Sequence, residues 1–165
     1  MGLPKACVKQ LNHGFTVAEA IVVMGLLALA GSWGLFSGTE TYRGNLFGRD
    51  CDMVIASLQR ARNLAVDNVC LGSECINGKP HGVHFDPTEN KIVIFQGDDY
   101  AGRDQLADEI IEFESKTVYV DDPIGPDVIF DRLSGDSIFQ SVILKNGFGQ
   151  VATIMVNNVG RIDWQ

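Results

Sequence analysis

The chain has 165 residues, of which 45% are hydrophobic, and a formal net charge of −8 at pH 7. That length allows one domain with a real core beside any anchor segment. The acidic balance makes the chain a poor candidate for a polyanion partner, because phosphate backbones are held by clustered Lys and Arg.

Residues 1–14 carry Lys5 and Lys9 and no acid. Gly14 and Phe15 follow, then Glu19, and then the twenty residues from Ala20 to Thr39 without a charge. As a helix such a run spans ~30 Å, the thickness of a bilayer's hydrocarbon core. Glu19 at its edge is the odd residue. An unpaired acid deep in a membrane costs on the order of 2.5–3.5 kcal/mol, so it is expected to have a partner and a role. Behind the run, Gly31, Gly34, Gly38, Gly44 and Gly48 make a glycine-rich passage. Each interior Gly costs ~1 kcal/mol relative to Ala, so a bend or loosening is expected there.

From Phe47 the pattern is that of an amphipathic helix. Phe47, Cys51, Val54, Leu58, Ala61 and Ala65 recur at spacings of four and three, a single apolar stripe. Cys51 falls on that stripe and reads as a buried small hydrophobe. The stretch Asn68 to Pro80 ends the helix. Within it Cys70 and Cys75 bracket Leu-Gly-Ser-Glu, which reads as a local disulfide in an oxidising compartment. Free thiols and a bridge through Cys51 stay open at this point. A zinc site with His81 and His84 would need a ligand spacing that these residues do not have.

Downstream the apolar period changes to two. Val83 to Phe85 and Lys91 to Phe95 flank Asp86-Pro87-Thr88-Glu89-Asn90, a hairpin signal. Ile110 to Glu114 and Thr117 to Val120 are expected to form a second short pair. Val128 to Phe130 is a further strand. Val142 to Leu144 and Val151 to Val156 are joined through Asn146-Gly147, and Arg161 to Trp164 returns beside them. One long helix followed by short strands predicts an α+β fold, the second helical half packed on an antiparallel sheet. The expected segments are a leader (1–14), a membrane-spanning helix (15–39), its amphipathic continuation (40–67) and a β-rich head (68–165).

Catalytic signals are absent: no zincin helix, nucleophile elbow or phosphate loop occurs, and no enzyme is expected. His81, His84 and Asp86 are expected as polar residues on a solvated strand face. Asp98, Asp99, Asp104, Asp108 and Glu109 form an acidic stretch that calcium favours in principle. Arg103 interrupts it and the spacing is not that of an EF-hand, so a solvated loop without a cofactor is the expectation.

The basic leader, Gly14-Phe15, Glu19 and the apolar run together resemble the type IV prepilin signature. The resemblance implies cleavage between Gly14 and Phe15 by a prepilin peptidase and methylation of the new Phe15 amine. It also implies that Glu19 pairs with that amine on a neighbouring subunit in a filament. Loss of Lys5 and Lys9 would take the side-chain charge from −8 to −10. Phe130-Asp131-Arg132-Leu133-Ser134-Gly135 and Val159-Gly160-Arg161 resemble the H-type minor pseudopilins of type II secretion and related minor pilins. The implied partners are other pilins or pseudopilins and an inner-membrane assembly platform, with the head in the periplasm or outside the cell. Many pilins have a helix-bending proline where this chain has Phe36. Some minor pilins bind DNA through basic residues of the terminal hairpin. Here Arg161 is followed by Asp163, which argues against that role. Two other readings of the N-terminus are a secretory signal cut after Ala28-Leu29-Ala30, releasing a binding protein that starts at Gly31, and a plain single-pass anchor.

Overall fold

The computed structural model describes residues 16–72, 75–113, 119–121, 125 and 127–165, with the backbone alone at 35–40 and 119–121. Gly14 and Phe15 lie outside the described residues. The chain divides into two compact units, one reaching to Tyr42 and one comprising Arg43–Gln165. The boundary falls in the glycine-rich passage.

Helix α1 is assigned over Val17–Val66. Thr16 starts it: its Oγ1 accepts the backbone N–H of Glu19 at 3.3 Å, which satisfies one of the first-turn donors. Thr16-Val17-Ala18-Glu19 is thus a capping-box sequence with the threonine half of the box in place. At the other end Asn68 takes the left-handed conformation, φ 53°. The Val69 N–H then donates to the Leu64 carbonyl at 3.0 Å and the Asn68 N–H to the Ala65 carbonyl at 3.1 Å. This is a Schellman stop with Asn in place of the usual Gly.

The strand-bearing unit holds two four-stranded antiparallel sheets. In the first the order is β3 (Glu109–Glu112), β2 (Lys91–Gln96), β1 (His81–Asp86), β5 (Asp127–Phe130). In the second it is β4 (Tyr119–Asp121), β6 (Gln140–Lys145), β7 (Val151–Val156), β8 (Ile162–Trp164). The expected pairing of the strands near 110 and 120 with each other does not occur. β3 extends the β1–β2 meander, whereas β4 pairs with β6 in the other sheet. Local alternation gives a strand its faces but not its partner, which here lies far along the chain.

Alternating residues from both sheets share one core with the stripe of α1. Val83, Phe85, Ile92, Ile94, Val128 and Phe130 come from the first sheet; Val142, Leu144, Ala152, Ile154 and Val156 come from the second. Phe47, Cys51, Val54, Leu58, Ala61 and Ala65 belong to the same buried cluster. The first sheet is covered on its other face too. Val93 and Phe95 are buried there, and the Phe95 ring lies over Gly82, where an added Cβ would stand 2.5 Å from it. Only glycine permits that approach.

The turns are built by short polar side chains. Asp86 Oδ1 accepts the N–H groups of Thr88 (2.9 Å) and Glu89 (3.0 Å) in the β1–β2 turn. These donors, Glu89's foremost, hold the Asp86 carboxyl below the usual carboxylate range. Between β6 and β7, Asn146 Oδ1 accepts from Phe148 and Gln150, both at 3.0 Å.

Candidate functional site

The first feature is the opening of α1. Val17–Gly34 is long and apolar enough to cross a membrane, with a mean hydropathy of 1.7, and none of it is buried. Ile21, Val22, Met24, Leu26, Leu27 and Leu29 are all exposed, as is Trp33. Ser32 turns its hydroxyl back to the Ala28 carbonyl at 2.8 Å, which removes a polar group from that surface. Glu19 lies at the start of this apolar helix, in its first turn. Its backbone has a local role in the Thr16 cap, which sequence reading missed although the Thr-x-x-Glu spacing signals it.

The second feature is the loop after α1. Cys70 and Cys75 are joined in a disulfide, with Cα atoms 5.6 Å apart. Ser73 and Glu74 inside the loop lie outside the described residues. Gln96, buried at the end of β2, grips the loop like a further strand. Its Oε1 accepts the Leu71 N–H at 2.7 Å and its Nε2 donates to the Leu71 carbonyl at 3.1 Å. Cys51 is free and buried on the helix stripe. Burial, reinforced by Asp50 and Asp52, pushes its thiol up to about 11, so it is a poor nucleophile at neutral pH.

The two histidines and Asp86 do not gather, and the expectation of a solvated face is corrected for both histidines. His81 is buried on the core face of β1, in register with Phe130. Its Nδ1 lies 3.1 Å from the Lys79 carbonyl, while Nε2 is enclosed without a hydrogen-bond partner. Burial lowers its pKa from the usual 6.5. His84 faces the other way and pairs with Asp127 at 2.5 Å. Tyr100, from the β2–β3 connection, stacks on the His84 ring at 3.5 Å and meets Phe95 edge-on. Arg103 lies over the Tyr100 ring at 3.6 Å. That connection covers the face the alternation left open.

Four of the five acids of the 98–109 stretch, all but Asp98, are engaged one by one. Asp99 Oδ1 accepts the Gly102 N–H at 2.5 Å, and Asp104 Oδ1 accepts the Leu106 N–H at 3.1 Å at the cap of a 3-10 turn. Asp108 pairs with Arg103 at 2.8 Å, and Glu109 with Arg60 at 2.7 Å. Among the described residues no group of three His, Cys, Asp or Glu side chains converges in a way that would hold a metal ion.

Among the described residues of the strand-bearing unit, two clefts bear on the site. One, of about 450 Å³, lies along β5 and includes Asp98, Asp127, Asp131 and Ile138 in its lining. The other, of about 390 Å³, is lined by Gln59, Arg62 and Asn63 of α1 and by Gly160, Arg161 and Ile162. Gly135 and Gly160, from the two stretches that carry the resemblance in the strand region, touch at the edge of the second cleft. Compared with known proteins, the chain matches no family model, no curated protein and no solved structure.

Proposed function

We propose that the chain is a membrane-anchored structural subunit of the type IV pilin class, a minor pilin or a pseudopilin of type II secretion. A prepilin peptidase would cut between Gly14 and Phe15 and methylate Phe15. The observation that carries this reading is the pairing of that cleavage pattern with an apolar helix, Val17–Gly34, none of which is buried and whose first turn holds Glu19. Apolar surface of that extent is stable only against lipid or other chains. In the proposed filament the Phe15 ammonium of one subunit neutralises Glu19 of its neighbour, and the small residues Gly25, Ala28, Gly31 and Gly34 let helices approach closely. The long helix packs its second half on the sheets and carries the head into the periplasm or beyond the cell. Its partners are other pilins or pseudopilins, the prepilin peptidase and an inner-membrane assembly platform. An acidic chain with Asp163 beside Arg161 is a poor DNA receptor.

Glu19→Ala tests the reading. Cleavage is expected to continue, whereas recovery of the subunit in sheared filaments or pseudopili falls at least about tenfold, in line with the 2.5–3.5 kcal/mol scale for an intramembrane charge left unpaired. Equal recovery of the mutant contradicts it. A plain single-pass anchor is the second reading. It is favoured by the Thr16–Glu19 cap, which accounts for an acid in the first turn without any neighbouring amine.

A further inference from the structure

Arg62 stands apart from the other arginines of the strand-bearing unit that make ion pairs. Arg60, Arg103 and Arg161 face Glu109, Asp108 and Asp163. Arg62 has no carboxylate opposite it among the described residues. Its Nε is shut off from solvent and has no hydrogen-bond partner. Buried donors in native proteins are almost always satisfied, so this orphan marks a guanidinium that is not committed to a partner within the fold, while the side chain also lines an open cleft.

Its surroundings hold it in place. Gly135, φ 69°, follows β5, and Gly160, φ 67°, follows β7, both in left-handed backbone. A Cβ on Gly160 would stand 1.9 Å from the Gly135 carbonyl oxygen and 2.9 Å from Arg62 Nε. A Cβ on Gly135 would stand 3.3 Å from Arg62 Cγ. The two loops therefore press on the stem of Arg62 from backbone distance. Much of the side-chain entropy that an arginine loses on binding is already spent in the fold.

The cleft beside it is lined by Arg62, Arg161, Gln59 and Asn63, and no acid is among its lining residues. Such a set offers a guanidinium fork and amide donors to an oxyanion. We propose that this cleft receives a carboxylate side chain from an acidic segment of a protein partner. Leu133 and Val159, on the same two loops as Gly135 and Gly160, are 64% and 61% exposed and offer apolar surface next in sequence to the cleft's residues. The partner segment therefore carries apolar residues beside its acid. A single carboxylate is favoured over a nucleic acid by charge. The chain's net −8 repels a polyanion at long range, and Asp163 already takes up Arg161 at 3.0 Å. One carboxylate at contact distance meets only the local field, since charges beyond ~10 Å are screened at 0.1 M salt. This inference does not depend on how the N-terminus is processed.

The test uses the full chain in detergent micelles with 15N-labelled arginine. The probe is acetyl-Leu-Glu-Leu-amide, with its Leu-Gln-Leu counterpart, inorganic phosphate and a short DNA duplex as the other arms. A saturable shift of the Arg62 Nε–Hε resonance by the Glu peptide is expected, with binding about tenfold weaker for the Gln peptide and, followed at the Arg161 resonance, for Arg62→Lys, which keeps charge but loses the fork. Arg161→Gln, at a side chain 72% exposed, is a second variant that leaves the fold intact, and it is expected to weaken the Glu peptide about threefold while the Arg62 signal persists. No shift with the Glu peptide, equal responses to Glu and Gln peptides, or tighter binding of phosphate or DNA than of the Glu peptide would each overturn the proposal.

Discussion

The two halves of α1 use the same residue types to opposite ends. Leu26, Leu27 and Leu29 are 62–71% exposed, while Leu58 and Val54 are fully buried. The difference is one of arrangement. In the second half the apolar residues keep to one stripe, which leaves the other faces to Asp, Arg and Gln and fits one core. In the first half they surround the helix. No single protein face can cover such a surface, which fits a lipid environment or a bundle of like helices.

That contrast can be broken by substitution. Leu58→Ala is expected to cost about 2–5 kcal/mol in denaturant unfolding of the strand-bearing unit, because it empties a fully buried site in the hydrophobic core. Leu29→Ala, the same change in the exposed half, is expected to move that transition by less than about 0.5 kcal/mol. Similar losses for the two variants would erase the distinction. Next in size is the disulfide. Cys75→Ser opens a short loop and is expected to cost about 2 kcal/mol by chain entropy, seen as a lower unfolding midpoint of the same unit. Thr16→Ala removes the cap of the exposed half and is expected to cost that helix about 1 kcal/mol, read as faster amide exchange in its first turn with no change at residues 47–66.

The smallest effect is one of pH, and it belongs to the strand-bearing unit. His81 has a folded-state pKa below the usual 6.5 because burial disfavours its charged form. The unfolded chain therefore takes up the proton first. The stability tied to a neutral His81 is complete above pH 6.5 and is lost as pH falls through and below that value. Urea unfolding at stepped pH is expected to show this decline, and His81→Gln to flatten it. An unchanged slope in the variant would assign the decline to other groups.

Several elements were legible from residues alone. The stripe from Phe47 to Ala65 is buried throughout, because a period of 3.6 states a helix's buried face directly. The hairpins over Asp86–Asn90 and Asn146–Gly147 were marked by turn residues whose side chains do hold the backbone. The division into two sheets was not legible, since it depends on β4 choosing β6 over its neighbour in sequence. Nor was the burial of His81 on the core face, or the partial cover of His84, which looks solvent-facing until the Tyr100 connection is folded over it. The Arg62 cleft was hidden for the same reason: Gly135 and Gly160 lie 25 residues apart in the chain and meet only in three dimensions. The processing site was read from Gly14, Phe15 and Glu19 by resemblance alone.

The proposed pilin role rests on that N-terminus. Intact-mass and fragment mass spectrometry of the protein purified from its native membrane reads it directly. A chain that begins at Phe15 with a methylated amine is expected. A chain that still begins at Met1, or one that begins at Gly31, would contradict it.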